Sequence, residues 1–119
     1  MLAVAKVIYK ERFLVEGFTK LVKRKEVFVK EHFDLVVDEI SEGRTSQQTI
    51  WVNADNVELV SKLDNLSKYE EIYIIVNIDF FEGRPNQIVC LDIMTDEADK
   101  KNINNILNNY RYNRMDWLV

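Results

Sequence analysis

The chain has 119 residues, 47% of them hydrophobic and 30% charged, and a formal net charge of −4. That length suits one domain with a single modest core, and no apolar run reaches the roughly 20 residues of a membrane-spanning helix. One histidine, one cysteine and three scattered glycines exclude a Cys/His metal cluster and the GxGxxG and GxxxxGKS/T phosphate loops.

The amino terminus, MLAVAKVIYKERF, lacks a cleavable signal pattern, because Lys6 breaks its apolar run and no cationic segment leads it. A cytoplasmic protein is therefore expected. The lone Cys90 agrees, since one thiol makes no internal disulfide. The run VIYKERFLVEGFTKLV is rich in β-branched and aromatic residues, and Gly17 interrupts it where a bulge or sharp bend is expected. Lys23 to Glu26 (KRKE) reads as a turn. From Val27 to Val37 polarity alternates. Val27, Val29, Phe33, Leu35 and Val37 fall on one face, with Glu31 the exception; Phe28, Lys30, His32, Asp34 and Val36 fall on the other. That period predicts one half-buried strand.

Ser41 to Gln48 (SEGRTSQQ) is polar and aperiodic and reads as a loop. TIWVN follows as a short strand, Ile50 and Val52 on one face and Trp51 on the other. Asp55, with Glu58 three positions on, has the spacing of a capping box. Val57, Leu59, Val60, Leu63 and Leu66 then form a helical stripe, ending near Lys68. The run from Ile72 to Ile93 predicts a hairpin. Ile72, Ile74, Val76, Ile78 and Phe80 point inward, and Tyr73, Ile75, Asn77, Asp79 and Phe81 point outward. EGRPN supplies the turn, and Val89, Leu91 and Ile93 then alternate with Ile88, Cys90 and Asp92. After Asp96, Ile103, Ile106, Leu107 and Tyr110 fit an amphipathic helix that six asparagines weaken. The end, RYNRMDWLV, is open to three readings: more helix, an edge strand or a partner-binding tail.

Charge is unevenly spread. Residues 1–30 hold eight Lys/Arg against three acids, a net of +5, whereas residues 31–119 hold eight against seventeen, a net of −9. A bipolar chain can turn a basic face to phosphates while staying acidic overall; a soluble charged hairpin is the equal alternative.

A bent first strand followed by β-β-α-β-β is the element order of the OB-fold, a five-stranded, partly open Greek-key barrel with a helix between its third and fourth strands. The expected domain spans 1–119, with residues 1–94 as the barrel and 95–119 as a C-terminal helix and tail. An α+β sandwich is the competing architecture.

In its length, its element order and the strand pairs VEGFTKLVKRKEVFV and IYIIVNIDFFEGRPNQIVCLDI, the chain resembles the small single-stranded-DNA-binding proteins of tailed phages, lactococcal phages in particular, over about residues 4–94. The resemblance implies a non-catalytic protein that coats single-stranded DNA during replication or recombination in the host cytoplasm. It also implies a homo-oligomer, with replication or recombination proteins as further partners. Unlike the bacterial members, which end in a Gly/Pro-rich tail with an acidic tip, this chain ends in NRMDWLV.

Sequence-independent binding of single strands combines cations along the phosphates with aromatic faces for unpaired bases. Phe28, Trp51, Tyr73 and Phe81 lie on outward faces by alternation, with Lys20, Lys23, Arg24, Lys25, Lys30 and Arg84 nearby. Each has a plainer reading. Phe28 and Trp51 can pack under the C-terminal helix or a partner subunit, and Tyr73 can cover the end of the helix. Single-stranded DNA is the expected ligand, with RNA and sugar as open alternatives; no cofactor, metal or membrane is implied. A His32–Cys90 nucleophile pair is disfavoured, because a lone cysteine in a strand is usually a buried structural thiol. The alternative from another class is a non-catalytic interaction or oligomerisation module.

Overall fold

The computed structural model describes residues 1–41, 43–80, 82–83, 87–95 and 114–116. In chain order these form β1 (Leu2–Val15), β2 (Phe18–Val22), β3 (Lys25–Val29), β4 (His32–Ser41), β5 (Arg44–Asn53), α1 (Val57–Asp64), β6 (Glu71–Asp79), β7 (Gln87–Met94) and β8 (Arg114–Asp116). Among the described residues no helix is long and apolar enough to cross a membrane.

β1 explains how the sheet closes. Its first half, Leu2 to Ile8, pairs antiparallel with β6, and its second half, Val7 to Val15, pairs antiparallel with β4. The register slips by one residue between Tyr9 and Glu11. Such a bulge bends a strand and increases its twist, so one 14-residue strand serves both margins of the sheet. A parallel contact between β5 and β7 at Trp51 and Val89 completes the circle. The path β1-β4-β5-β7-β6 and back to β1 is a closed, OB-fold-like five-stranded barrel with its helix between the third and fourth barrel strands. The fold class expected from element order is the one observed.

Alternation fills the interior. Ala3, Ala5 and Val7 of β1, Leu35 and Val37 of β4, Ile50 and Val52 of β5, and Ile72, Ile74, Val76 and Ile78 of β6 form one core with Cys90 and Ile93 of β7. Leu59 and Leu63 bring α1 into it, and ion pairs of Arg12 with Asp64 and of Lys62 with Asp92 tie the helix to β1 and β7. A second cluster of Leu2, Val4, Ile75 and Met94 is buried on the other side of β1, β6 and β7.

Several local expectations are corrected. Val27 to Val37 is two strands: Val27–Val29 ends β3, and β4 starts at His32. Among the described residues β2 and β3 pair only with each other, as a separate ribbon inserted between the first and second barrel strands. Gly17 lies in the link between β1 and β2, while the bend of the barrel strand falls at Lys10. The polar run read as a loop belongs to β5 from Arg44 onward, because β4 and β5 form a hairpin paired out to Ser41 and Arg44. The helix is capped by Asn56, whose side chain accepts from the Leu59 amide at 3.2 Å, and it ends at Asp64. In β7 a bulge between the partners of Ile75 and Val76 breaks the plain alternation, so Ile88 and Cys90 of one set and Ile93 of the other face the core. Phe80, expected inside, lies past the end of β6 and is 57% exposed. The helix expected after Asp96 lies outside the described residues; residues 114–116 take the edge-strand alternative, parallel to Leu2–Val4 of β1.

Candidate nucleic-acid interface

The barrel surface over β1, β4 and β5 is built by ladder register. Residues directly opposite in a ladder share a face. Phe13 stands opposite Asp34, and Asp34 opposite Trp51. With strands about 4.8 Å apart, the two aromatic positions flank Asp34 at a separation of about 10 Å. All three alternate with the inward Leu35, Ile50 and Val52, so they face out. Phe13 is 52% exposed.

Trp51 is half-buried and held on two sides. Its Nε1–H donates to Asn53 Oδ1 at 2.8 Å. The His32 imidazole lies parallel to the indole, 3.4 Å between ring centroids and 11° between planes. His32 itself is 5% exposed, with Nδ1 2.9 Å from the Lys30 carbonyl oxygen and Nε2 3.3 Å from Asp34 Oδ1. It is thus a buried supporting ring rather than a surface residue.

The β2–β3 ribbon leaves the barrel between Val15 and His32, a ladder pair two steps along from Phe13 and Asp34. Its turn, Lys23–Arg24, has positive φ at both residues (51° and 65°), the geometry of a two-residue type I′ hairpin. Lys20 and Lys25 share one face with Phe18, Val22, Val27 and Val29, and Phe28 shares the other with Thr19, Leu21 and Glu26. Leu21 (72%) and Phe28 (69%) are among the most exposed apolar residues of the chain. Phe28 leans back over Gly17, where an added Cβ would meet its ring at 2.9 Å. That close approach is why glycine suits the link.

Charge separates the two regions. Among the described residues most cations near the barrel are ion-paired: Lys6 with Glu71 at 2.8 Å, Lys10 with Asp38 at 3.6 Å, Lys62 with Asp92 at 2.6 Å and Arg12 with Asp64, whereas Arg44 and Lys68 have no ion pair there. Lys30 pairs with Asp55 at 3.6 Å, so its charge is already answered. Lys20, Lys23, Arg24 and Lys25 make no ion pair with any described residue.

The expected site residues therefore divide. Lys20, Lys23, Arg24, Lys25 and Phe28 come together on the ribbon, and Trp51 on the barrel face. Tyr73 does not join them. It pairs in register with Lys6 and Met94 and packs half-buried against the second cluster, where its neighbour Ile75 is fully buried. The outward face of β6 is thus covered, contrary to the alternation reading. Phe81 and Arg84 lie outside the described residues. Sequence reasoning missed Phe13, Phe18, Leu21 and Phe80; Phe13 shares its parity with the inward Val7 and faces out because the bulge between Tyr9 and Glu11 reverses the phase.

Three shallow hollows of about 140 to 270 Å³ adjoin α1 or the links that flank it, each smaller than the roughly 300–1,000 Å³ of small-molecule sites. Comparisons with protein-family models, with curated proteins and with solved structures return no match.

Proposed function

We propose that this chain binds single-stranded DNA without sequence preference, as a phage replication or recombination protein that coats exposed strands in the host cytoplasm as a homo-oligomer. One observation carries the reading: a ribbon with four cations that make no ion pair with any described residue leaves the barrel at the Val15–His32 ladder pair, two steps from Phe13 and Asp34 on the face that also presents Trp51. In OB-folds the face of the second and third strands and the loops after the first and fourth strands are the usual oligonucleotide surface. Here those strands are β4 and β5, and the first loop is the ribbon. Phosphates follow Lys20, Lys23, Arg24 and Lys25, and bases stack on Trp51, Phe13 and Phe28. Lys30 and Tyr73 have smaller parts, since one is ion-paired and the other is packed.

The test is fluorescence anisotropy of labelled oligo-dT over a salt series. Each stacked base contributes about 1–3 kcal/mol, so Trp51→Ala weakens binding roughly 5- to 150-fold. Replacing the four ribbon cations by Gln lowers the log–log salt slope by about 2.8, at about 0.7 per phosphate contact on a single strand. Absence of binding by micromolar wild-type protein at low salt overturns the reading. Parallel titrations with RNA and duplex DNA identify the preferred strand.

A second reading rests on the exposed Leu21 and Phe28, together with Phe18 and Val27: an interaction module whose ribbon joins copies of the chain. Sedimentation of Leu21→Asp/Phe28→Asp separates the two. Loss of assembly with oligo-dT binding retained assigns the apolar residues to an interface.

A further inference from the structure

We propose that the open edge of β5, Thr45 to Thr49, is a self-association site: it pairs antiparallel with the same edge of a second copy of this chain, about a two-fold axis at Gln47. The proposal rests on the homo-oligomer part of the reading above and gives that assembly an interface.

β5 is paired along its whole length on one side and hardly at all on the other. Its ladder with β4 runs without a register shift from His32–Asn53 to Ser41–Arg44. Towards β7 it has the single pair Trp51–Val89, so among the described residues Thr45 to Thr49 has no strand partner on that side. The tight turn from Ser41 to Arg44 closes on a hydrogen-bonded pair, and bonded and non-bonded pairs then alternate along the ladder. Arg44, Ser46, Gln48 and Ile50 therefore direct their backbone groups to β4. The N–H and C=O of Thr45, Gln47 and Thr49 point to the open edge. Such a row is a template for another strand, and proteins usually blunt it with lysine, proline or a bulge. The β2–β3 ribbon has that protection in Lys20 and Lys25. Thr45 to Thr49 (TSQQT) has no lysine, proline, charge or bulge.

The occupant is a second copy because the segment matches itself. Antiparallel pairing about Gln47 sets Gln47 opposite Gln47, Thr45 opposite Thr49 and Ser46 opposite Gln48. No charge meets its like, and cross-strand Thr–Thr pairs and stacked Gln amides are favourable. The acid one strand away, Asp38 opposite Gln47, is already ion-paired with Lys10. A foreign strand added to an edge is selected by pockets for its alternate side chains. Here the hollows lie at α1 or its flanking links, and Thr45, Gln47 and Thr49 are exposed. So short an edge buries less than the roughly 1,200 Å² of a stable complex. The contact is therefore weak in solution and strengthens when one nucleic-acid strand holds two copies at high effective concentration. An isologous interface of this kind closes at the dimer. It also joins two binding faces. Thr45, Gln47 and Thr49 share the outward side of β5 with Trp51, so the two Trp51 positions stand about 27 Å apart along one continuous sheet.

Cysteine cross-linking tests this geometry. Cys90 is the lone cysteine, so a Cys90→Val background gives each new thiol a unique address. A residue on the axis meets its own copy at about 5.5 Å between Cα atoms, within disulfide range. Thr45 and Thr49 each lie about 14 Å from their own copies and directly opposite one another. Under mild oxidation Gln47→Cys is expected to form covalent dimers. Thr45→Cys and Thr49→Cys stay monomeric alone and cross-link when mixed. Gln47→Pro removes an amide that points to the open edge and leaves the β4 ladder intact. In sedimentation it weakens self-association roughly 10- to 100-fold, with the thermal transition of the barrel retained. If Gln47→Pro fails to fold, the cross-linking pattern decides. Equal cross-linking of Gln47→Cys and Thr45→Cys alone, or none with oligo-dT present, overturns the interface. Assembly that persists in Gln47→Pro and disappears in Leu21→Asp/Phe28→Asp also overturns it, in favour of the ribbon. Oligo-dT binding without the cross-linking pattern removes this proposal and leaves the single-strand reading. The pattern without oligo-dT binding keeps the interface and removes that reading.

Discussion

Lys23 and Arg24 close the ribbon in the left-handed region, at φ 51° and 65°. An L-residue there costs roughly 1–2 kcal/mol, and Asn-Gly is the pair that fits a type I′ turn without that cost. The tip keeps two unmatched cations in a conformation that favours neither, an outlier of the kind that collects at functional sites. Lys23→Asn/Arg24→Gly is therefore expected to act in two directions at once. Amide exchange across β2 and β3 slows as the turn relaxes. Affinity for oligo-dT falls, with the salt slope lower by about 1.4. Slower exchange with unchanged affinity would detach the tip from ligand binding.

At the scale of elements, the ribbon shares no ladder with the barrel, so the two separate energetically. Replacing residues 18–29 by a short turn is expected to leave the cooperative unfolding of the barrel nearly unchanged while removing most oligo-dT binding. Circular dichroism melts and anisotropy read the two effects independently, and loss of the barrel transition would show that the ribbon is part of the fold. The same separation explains what the sequence made legible. Barrel strands with one wet face alternate, so Leu35, Val37, Ile50, Val52 and the inward residues of β6 were readable. Glu31 was the sole break in the alternation from Val27 to Val37, and it marks the junction of ribbon and barrel. The tip of the β4–β5 hairpin projects beyond the core, with both faces of Thr45 to Gln47 in solvent, so its strand has no hydrophobic period to find. In β7 one extra residue reverses the phase, which period-two reading has no means of anticipating. Of the site, the ribbon cations and Trp51 were visible as charge and parity. The His32 stack was not, because it depends on the neighbouring strand's register.

For the molecule as a whole, the described barrel core holds the thiol of Cys90. Burial is the main reason that the Cys90 thiol is pushed from its ordinary 9.0 up to about 12, and the Asp92 carboxylate adds to this. An acid whose folded pKa is raised stays protonated while the unfolded chain ionises. Its stabilisation is thus complete below pH 9 and is lost as pH climbs toward 12. The slope reaches about 1.4 kcal/mol per pH unit. Urea unfolding of wild type and Cys90→Val is expected to diverge above about pH 9, with the wild type losing stability faster; parallel curves would mean that the thiol is not sealed in the folded state. The barrel and the ribbon also differ in what fixes their dimensions. Every barrel strand is locked to two neighbours, so its length is set by closure. The ribbon is an antiparallel pair ending in a two-residue turn, and adding one residue to each strand lengthens it by about 3.4 Å without shifting any barrel register. The reach of the ribbon is therefore an adjustable ruler, which insertion or deletion can reset while the folded body stays the same.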